Sequence, residues 1–120
     1  MKIGTIRDLL EARVLVGEDR MGDHVYSACG SDMMSDVLAY VKDQAVLLTG
    51  LVNAQVIRTA EMMDMHCIVF VRSKEPTPDM IRLAEESGFV LMATKKRMYE
   101  ACGILYSNGL VGNKVQEGRL

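Results

Sequence analysis

The sequence contains no tryptophan, only two prolines and two histidines, and three cysteines among its 120 residues. The cysteines are odd in number and lack CxxC spacing, which argues against a disulfide framework and against a structural zinc site. We therefore expect reduced thiols and a cytoplasmic protein. No apolar run approaches the roughly 18 residues of a membrane-spanning helix, and the N-terminus lacks the apolar core of a signal peptide. We expect no membrane association.

An excess of charge of one sign is also missing. Fourteen basic and sixteen acidic side chains give a formal net charge of −2. A nucleic-acid partner requires a basic face, so we expect none. With 49% hydrophobic and 25% charged residues, the composition is typical of a globular protein. We predict a single domain over residues 1–110 and a flexible C-terminal tail over residues 111–120, where glycines mix with charges.

Three continuous apolar runs dominate the chain after residue 44, at 45–48, 66–71 and 89–93. Such runs are typical of parallel strands that are buried on both faces. Each is followed by a helical pattern, over 53–64, 77–88 and 95–106 in turn. The first half predicts a helix over 5–11 capped by Thr5, short strands at 14–16 and 24–29, and a helix from Asp32 to Lys42.

Strands that alternate with helices indicate right-handed crossovers and a parallel sheet. We therefore predict an α/β fold, three-layer α/β/α, with a mainly parallel sheet of about four to five strands. Ligands of such sheets bind beyond the carboxyl ends of the strands, where loops meet helix N-termini. Three loops of this kind can be identified in the sequence.

The first loop, 49–53, follows a buried strand. Thr49 offers a hydroxyl, Gly50 allows close approach of a ligand to the backbone, and Asn53 adds an amide beside a helix N-terminus that favours anions. The structural alternative is that Asn53 caps its own helix and Gly50 makes the turn. The loop lacks the repeated glycines of a dinucleotide or phosphate-loop motif.

The other two loops have similar alternatives. In the loop after 89–93, Thr94 is the predicted helix cap, and Lys95 begins a run of three cations that oppose the helix dipole, so that a phosphate group or Glu100 would compensate them. In the loop after 24–29, Ser31 or Asp32 is expected to cap the following helix. Asp32 and Asp36 offer too few oxygen ligands for a cation, so we expect no metal and no cofactor.

Residues for catalysis cannot be assigned. His66 and Cys67 are neighbours on a strand and point to opposite faces, so they cannot form a nucleophile pair. His24 could approach Cys29 or Cys102, but nothing in the sequence favours it. A small enzyme that uses Cys29 or Cys102 stays open as a third hypothesis, although we predict no enzymatic activity.

The segment 49–57, with Ala60 and Glu61, resembles the DRTGG domain family. The likeness continues through 68–71, Pro76, Gly88 and 90–94, and includes 30–37, so that it covers roughly residues 3–110. One departure from the family is Leu51, where a second glycine commonly follows the Thr-Gly pair. A leucine there restricts the backbone and weakens the inference that the loop closely surrounds a phosphate.

The resemblance implies a non-catalytic accessory domain with an α/β fold, often at a dimer interface and linked to regulation by nucleotides or metabolites. We therefore predict a homodimeric regulatory module that senses a small anionic metabolite or an adenine nucleotide and acts on a partner enzyme in trans. The alternative is a protein-interaction subunit without a ligand, docking on a redox or signalling enzyme, for which the ten methionines offer an adaptable contact surface.

Overall fold

Five strands, five α-helices and one short 3-10 helix (Glu18–Arg20) make up the regular structure of the described residues. A computed structural model of the chain describes residues 1–40 and 44–112. The helices are α1 (Ile3–Leu10), α2 (Met34–Tyr40), α3 (Ala54–Met62), α4 (Pro78–Ser87) and α5 (Met98–Ser107). The strands are β1 (Arg13–Val16), β2 (Ser27–Gly30), β3 (Ala45–Thr49), β4 (Cys67–Phe70) and β5 (Val90–Ala93).

The strands form one sheet in the order β1-β5-β4-β3-β2. Strands β2, β3, β4 and β5 are mutually parallel, and β1 runs antiparallel to β5 at the edge. The three apolar runs of the sequence become β3, β4 and β5, and every residue of these strands is buried. The prediction of a mainly parallel sheet of four to five strands is confirmed.

Helices cover both faces of the sheet, as expected for a three-layer fold. Because β2 to β5 follow one another in a single direction, right-handed crossovers place α2, α3 and α4 on the same face. Helices α1 and α5 pack on the opposite face, where Ile6, Leu10 and Leu105 are buried against Val46, Val69 and Met92. Two apolar layers therefore enclose the sheet. No helix in the described part of the chain is both long and apolar enough to cross a membrane.

Helix α4 has the ends that its sequence predicts. The Thr77 hydroxyl accepts a hydrogen bond from the Met80 amide at 3.2 Å, and Pro78 occupies the first helical position. Gly88 ends the helix with a φ of 72°, a left-handed conformation that glycine adopts without a steric penalty.

The elements of the first half are shifted from their predicted bounds. Helix α1 begins at Ile3, so Thr5 lies inside it and the prediction that Thr5 caps it was wrong. Strand β2 begins at Ser27 instead of residue 24, because the preceding residues pair with the N-terminus: His24 forms a bridge to Lys2, and the Val25 amide donates to the Met1 carbonyl at 2.9 Å. These interactions join distant parts of the chain, which a local pattern does not show.

Two helices start later than predicted. Helix α2 begins at Met34, so neither Ser31 nor Asp32 is its cap. Helix α5 begins at Met98 after Arg97, so the prediction of a Thr94 cap was also wrong. The predicted end of α2 at Lys42 and residues 113–120 of the predicted tail lie outside the described residues. Within that tail, the Val111 carbonyl accepts a hydrogen bond from the Ala28 amide of β2 at 3.1 Å.

Replacing Leu48 by alanine should lower the free energy of unfolding by about 2–5 kcal/mol, because Leu48 is fully buried in β3 and its loss leaves a cavity. Leu38→Ala on the exposed side of α2 is the matched control and should cost roughly 1 kcal/mol or less. Urea denaturation monitored by circular dichroism measures both. Equal losses in the two variants would contradict the placement of β3 at the centre of the fold.

Candidate site at the carboxyl edge of the sheet

The parallel strands bring the three predicted loops to one edge of the sheet. Gly30 pairs with Leu48, Thr49 with Phe70, and Phe70 with Ala93, so β2, β3, β4 and β5 end at nearly the same level. The loops that follow these strands therefore lie side by side. This confirms the common orientation on which the predicted site depends.

Asp32 is the centre of a hydrogen-bonded cluster at this edge. Its Oδ1 accepts a hydrogen bond from the Gly50 amide at 2.7 Å and one from the Thr49 hydroxyl at 3.1 Å. Its Oδ2 lies 3.5 Å from Nη2 of Arg72. The Asp32 side chain therefore joins the loop before α2 to the ends of β3 and β4. This role replaces the predicted cap.

Arg72 lies directly over Gly50. A Cβ atom built on Gly50 would lie only 2.6 Å from both Cζ and Nε of Arg72. Gly50 thus leaves room for the guanidinium group, which would have to shift if residue 50 carried a side chain. The sequence predicts close approach of a ligand at Gly50, whereas in the structure a side chain of the protein takes this position.

The backbone after β4 connects the loops on either side of it. Val71 donates its amide hydrogen to the Thr49 carbonyl at 3.0 Å, Arg72 to the Lys96 carbonyl at 2.8 Å, and Ser73 to the Thr94 carbonyl at 3.0 Å. Arg72 and Ser73 both have positive φ angles, 60° and 59°. This conformation is uncommon for residues other than glycine, and the three hydrogen bonds hold it in place.

Ser31 and Asn53 lie beside the cluster but are not joined to it by side-chain hydrogen bonds. The Ser31 hydroxyl accepts a hydrogen bond from the Met33 amide at 3.0 Å, which makes a local turn before α2. Asn53 occupies the predicted N-cap position of α3, but its exposed side chain makes no capping hydrogen bond. The position was predicted correctly, and the capping interaction was not.

Thr94 and Lys95 lie on the other side of Arg72 and Ser73. Thr94 is buried, and its hydroxyl donates to the Leu10 carbonyl at 2.7 Å and accepts from the Lys96 amide at 3.2 Å. It therefore anchors the loop to α1. Lys95 is exposed, whereas Nζ of Lys96 lies 3.8 Å from Glu11 and 4.0 Å from Glu100.

A cleft of about 550 Å³ opens between the end of β5 and the end of α1. Its polar lining includes both cations and carboxylates, so the charge of the cleft is nearly balanced. The lining residues are Leu10, Glu11, Arg13, Ser73, Glu75, Ala93, Thr94, Lys95, Lys96 and Glu100. The predicted site residues thus fall into two groups, the Asp32 cluster with Thr49 and Gly50, and this cleft with Thr94 and Lys95.

Arg72 is a functional candidate that is absent from the predicted site residues. Its position directly after the buried apolar run that ends at Val71 was a usable signal, because residues that follow such a run emerge at the carboxyl edge. Its contacts with Gly50 and Asp32 join residues 22 and 40 positions away in the chain. No local pattern contains that information.

The two histidines lie near the opposite, amino edge of the sheet. They line a cleft of about 430 Å³ together with Asp64 and Cys67. His66 Nε2 is 2.7 Å from Oδ1 of Asp64, and the His66 ring packs edge-on against Phe89. Among residues 1–40 and 44–112, no group of three or more histidine, cysteine, aspartate or glutamate side chains could hold a metal ion.

All three thiols have raised pKa values. Burial raises the pKa of Cys67 from its ordinary 9.0 to about 12. Burial is also the main cause of the raised pKa of Cys29, with smaller contributions from Cys102 and Asp36, and it raises the pKa of Cys102. A nucleophilic cysteine needs a lowered pKa, so these environments disfavour the hypothesis of a thiol enzyme.

Comparisons with known proteins agree with this architecture. A search of curated proteins found no match. Among solved structures, the chain is similar to the crystal structure of the CBS and DRTGG domains of the regulatory region of Clostridium perfringens pyrophosphatase complexed with the activator diadenosine tetraphosphate. The TM-score is 0.71 at 14% identity, over 99% of this chain and 52% of that one.

This likeness establishes the fold, and the chain spans about half the length of its structural neighbour. The family model for the DRTGG domain matches residues 5–107. The match includes the Asp32 cluster and both groups of candidate site residues, and it agrees with the resemblance found in the sequence. The chain therefore belongs to the DRTGG domain family.

Proposed function

We propose that this domain is a regulatory module that binds a small anionic metabolite or an adenine nucleotide at the carboxyl edge of its sheet and acts as a homodimer. One observation carries the ligand assignment. The Thr49 hydroxyl, the Gly50 amide and the Arg72 guanidinium group converge on a single carboxylate. Donors that are arranged around a carboxylate are also suited to a phosphate oxygen.

Lys95 extends this donor set along the edge. It is exposed beside the cleft at the end of β5, and within the described residues it forms no ion pair. The Arg72 guanidinium group lies over Gly50, directly after β3, and Lys95 follows β5. These two strands are two strand spacings apart, about 10 Å. A ligand with more than one anionic group could therefore contact Arg72 and Lys95 together, which favours nucleotides and other polyanionic metabolites over single anions.

The structural neighbour supports a regulatory role. Its crystal structure is of a regulatory region complexed with a nucleotide activator, and that region contains a DRTGG domain. The raised pKa values of the three thiols also favour a regulatory role over thiol catalysis. The regulated activity would then belong to a partner enzyme that the domain contacts.

The outer face of α5 supports the dimer. Tyr99 is 93% exposed and Tyr106 is 67% exposed. Gly103 lies between them, and a Cβ built on it would meet nothing within 4 Å. An antiparallel pair of α5 helices centred on Gly103 would place Tyr106 of each copy opposite Glu100 of the other. The phenol could then donate a hydrogen bond to that carboxylate, which makes the face self-complementary.

The first prediction from this proposal concerns ligand binding. A ligand at one hundred times its dissociation constant should add about 2.7 kcal/mol to the free energy of unfolding. We expect a corresponding rise in melting temperature with diadenosine tetraphosphate or ATP. Arg72→Gln should weaken binding about tenfold or more, because it removes a charged hydrogen-bond donor.

Arg58→Gln is the matched control for that variant, since Arg58 is an exposed arginine on α3. It removes the same charge and should leave the affinity unchanged. Isothermal titration of the three proteins at one ionic strength separates local from general charge effects. Equal affinities of wild type and Arg72→Gln would place the ligand elsewhere, and the absence of a thermal shift with every phosphate compound would refute the proposed function.

A second prediction concerns the dimer. Light scattering at micromolar concentration should give twice the chain mass, and Tyr106→Ala should shift the protein to monomer because it removes buried area and a hydrogen bond from the α5 pair. Tyr26→Ala, which removes another exposed tyrosine away from α5, should stay dimeric. A monomeric wild type would contradict the proposed dimer. The exposed face of α5 would then favour the alternative function, docking on another protein.

A third prediction concerns the thiols. Near neutral pH all three should be protonated, and the folded protein should react with iodoacetamide about tenfold more slowly than the denatured chain. Folding raises the pKa of Cys67 from 9.0 to about 12, so the unfolded chain loses this proton at a lower pH than the folded protein does. The free energy of unfolding should therefore be unaffected by Cys67 below pH 9 and should fall as the pH rises from 9 to about 12. Mass spectrometry after timed labelling measures the rates. Faster reaction in the folded state would favour the enzyme hypothesis.

A further inference from the structure

The two neutral donors of the Asp32 cluster are already used by the protein itself. The Gly50 amide and the Thr49 hydroxyl each carry one hydrogen, and both donate it to Oδ1 of Asp32. Arg72 faces Oδ2 of the same carboxylate. An anion cannot form these hydrogen bonds while Asp32 holds them. It would also meet a like charge at contact distance.

We propose that Asp32 is a built-in competitor that occupies the anion position and must be displaced by the ligand. This inference rests on the proposed function, and it reverses the role that the sequence assigned to Asp32 as a ligand-binding residue. The carboxylate imitates a phosphate oxygen by binding the same hydroxyl, amide and guanidinium groups. Its charge therefore opposes the binding of the ligand.

The geometry allows such a displacement. The side chains of Asp32 and Arg72 are 48% and 46% exposed, so the ion pair is at the surface and is weak. Asp32 lies in the short connection between β2 and α2, outside both elements. Ser31 is fixed on one side, where its amide donates to the Leu48 carbonyl at 3.0 Å. Movement can therefore be limited to Asp32, Met33 and the start of α2.

The position of Asp32 also supplies a route for regulation. Met34, the first residue of α2, is buried and belongs to the apolar layer that also contains Val56 and Ile57 of α3. Release of Asp32 removes the side-chain tether that holds the start of α2 to β3 and β4. Ligand binding at the edge thereby loosens the N-terminal turn of α2, which is the signal that the module passes on.

Asp32→Asn separates this role from a purely structural one. Asparagine keeps one oxygen that accepts hydrogen bonds from Gly50 and Thr49, and it replaces the charged oxygen that faces Arg72 by a neutral NH2 group. A competitor that loses its charge should bind the donors less well, so the affinity for an added anion should rise about tenfold or more. A structural tether predicts no such gain.

The experiment is isothermal titration of the full chain with inorganic pyrophosphate and with ATP at constant ionic strength. Asp36→Asn is the matched control, because it removes the same charge from α2 on an exposed residue one turn later. We expect tighter binding by Asp32→Asn, wild-type affinity within twofold for Asp36→Asn, and binding about tenfold or more weaker for Arg72→Gln.

A second measurement follows the start of α2 by amide hydrogen exchange over residues 31–37. The wild type should exchange faster in this segment when ATP is bound, whereas a simple binding site would slow exchange there. Unchanged or weaker binding by Asp32→Asn, with wild-type binding intact, would overturn the competitor and leave the proposed function standing. No binding by either protein would overturn both.

Discussion

The backbone after β4 is the connection on which the candidate site depends. The amides of Val71, Arg72 and Ser73 donate to carbonyl groups of the last residue of β3 and of the loop after β5. These bonds hold two consecutive non-glycine residues, Arg72 and Ser73, at positive φ. This conformation costs free energy and is kept only where the surrounding structure holds it. The result places the Arg72 side chain over Gly50 and within reach of Asp32. Without this arrangement, the loops would lie side by side but share no side-chain cluster.

The electrostatics of the edge follow from that arrangement. A single guanidinium group, one hydroxyl and one amide surround a carboxylate of the protein, while Lys95 stays exposed at the neighbouring strand. In the proposed mode of binding, these fixed donors favour an anion and the carboxylate limits its affinity. A regulatory domain would benefit from such a balance, because binding of a ligand would then change the structure instead of only filling a preformed site.

The sequence predicted the strands better than the starts of the helices that follow them. Strands β3, β4 and β5 were evident because burial on both faces requires continuous apolar residues. The caps of α2 and α5 were mispredicted because Asp32 and Thr94 have the residue types of caps. Their side chains instead bind Gly50 and the Leu10 carbonyl, which are remote in the chain.

The sequence by itself determined the α/β class, the parallel sheet and the family, since these depend on the order and periodicity of apolar residues. It also determined that Thr49, Gly50, Thr94 and Lys95 lie at one edge. Only the tertiary structure decided how they are used: Arg72 joins the site, Asp32 faces the donors, and Thr94 turns toward α1. The physical reason is that hydrogen bonds and ion pairs act over a few ångströms in space, whatever the separation along the chain.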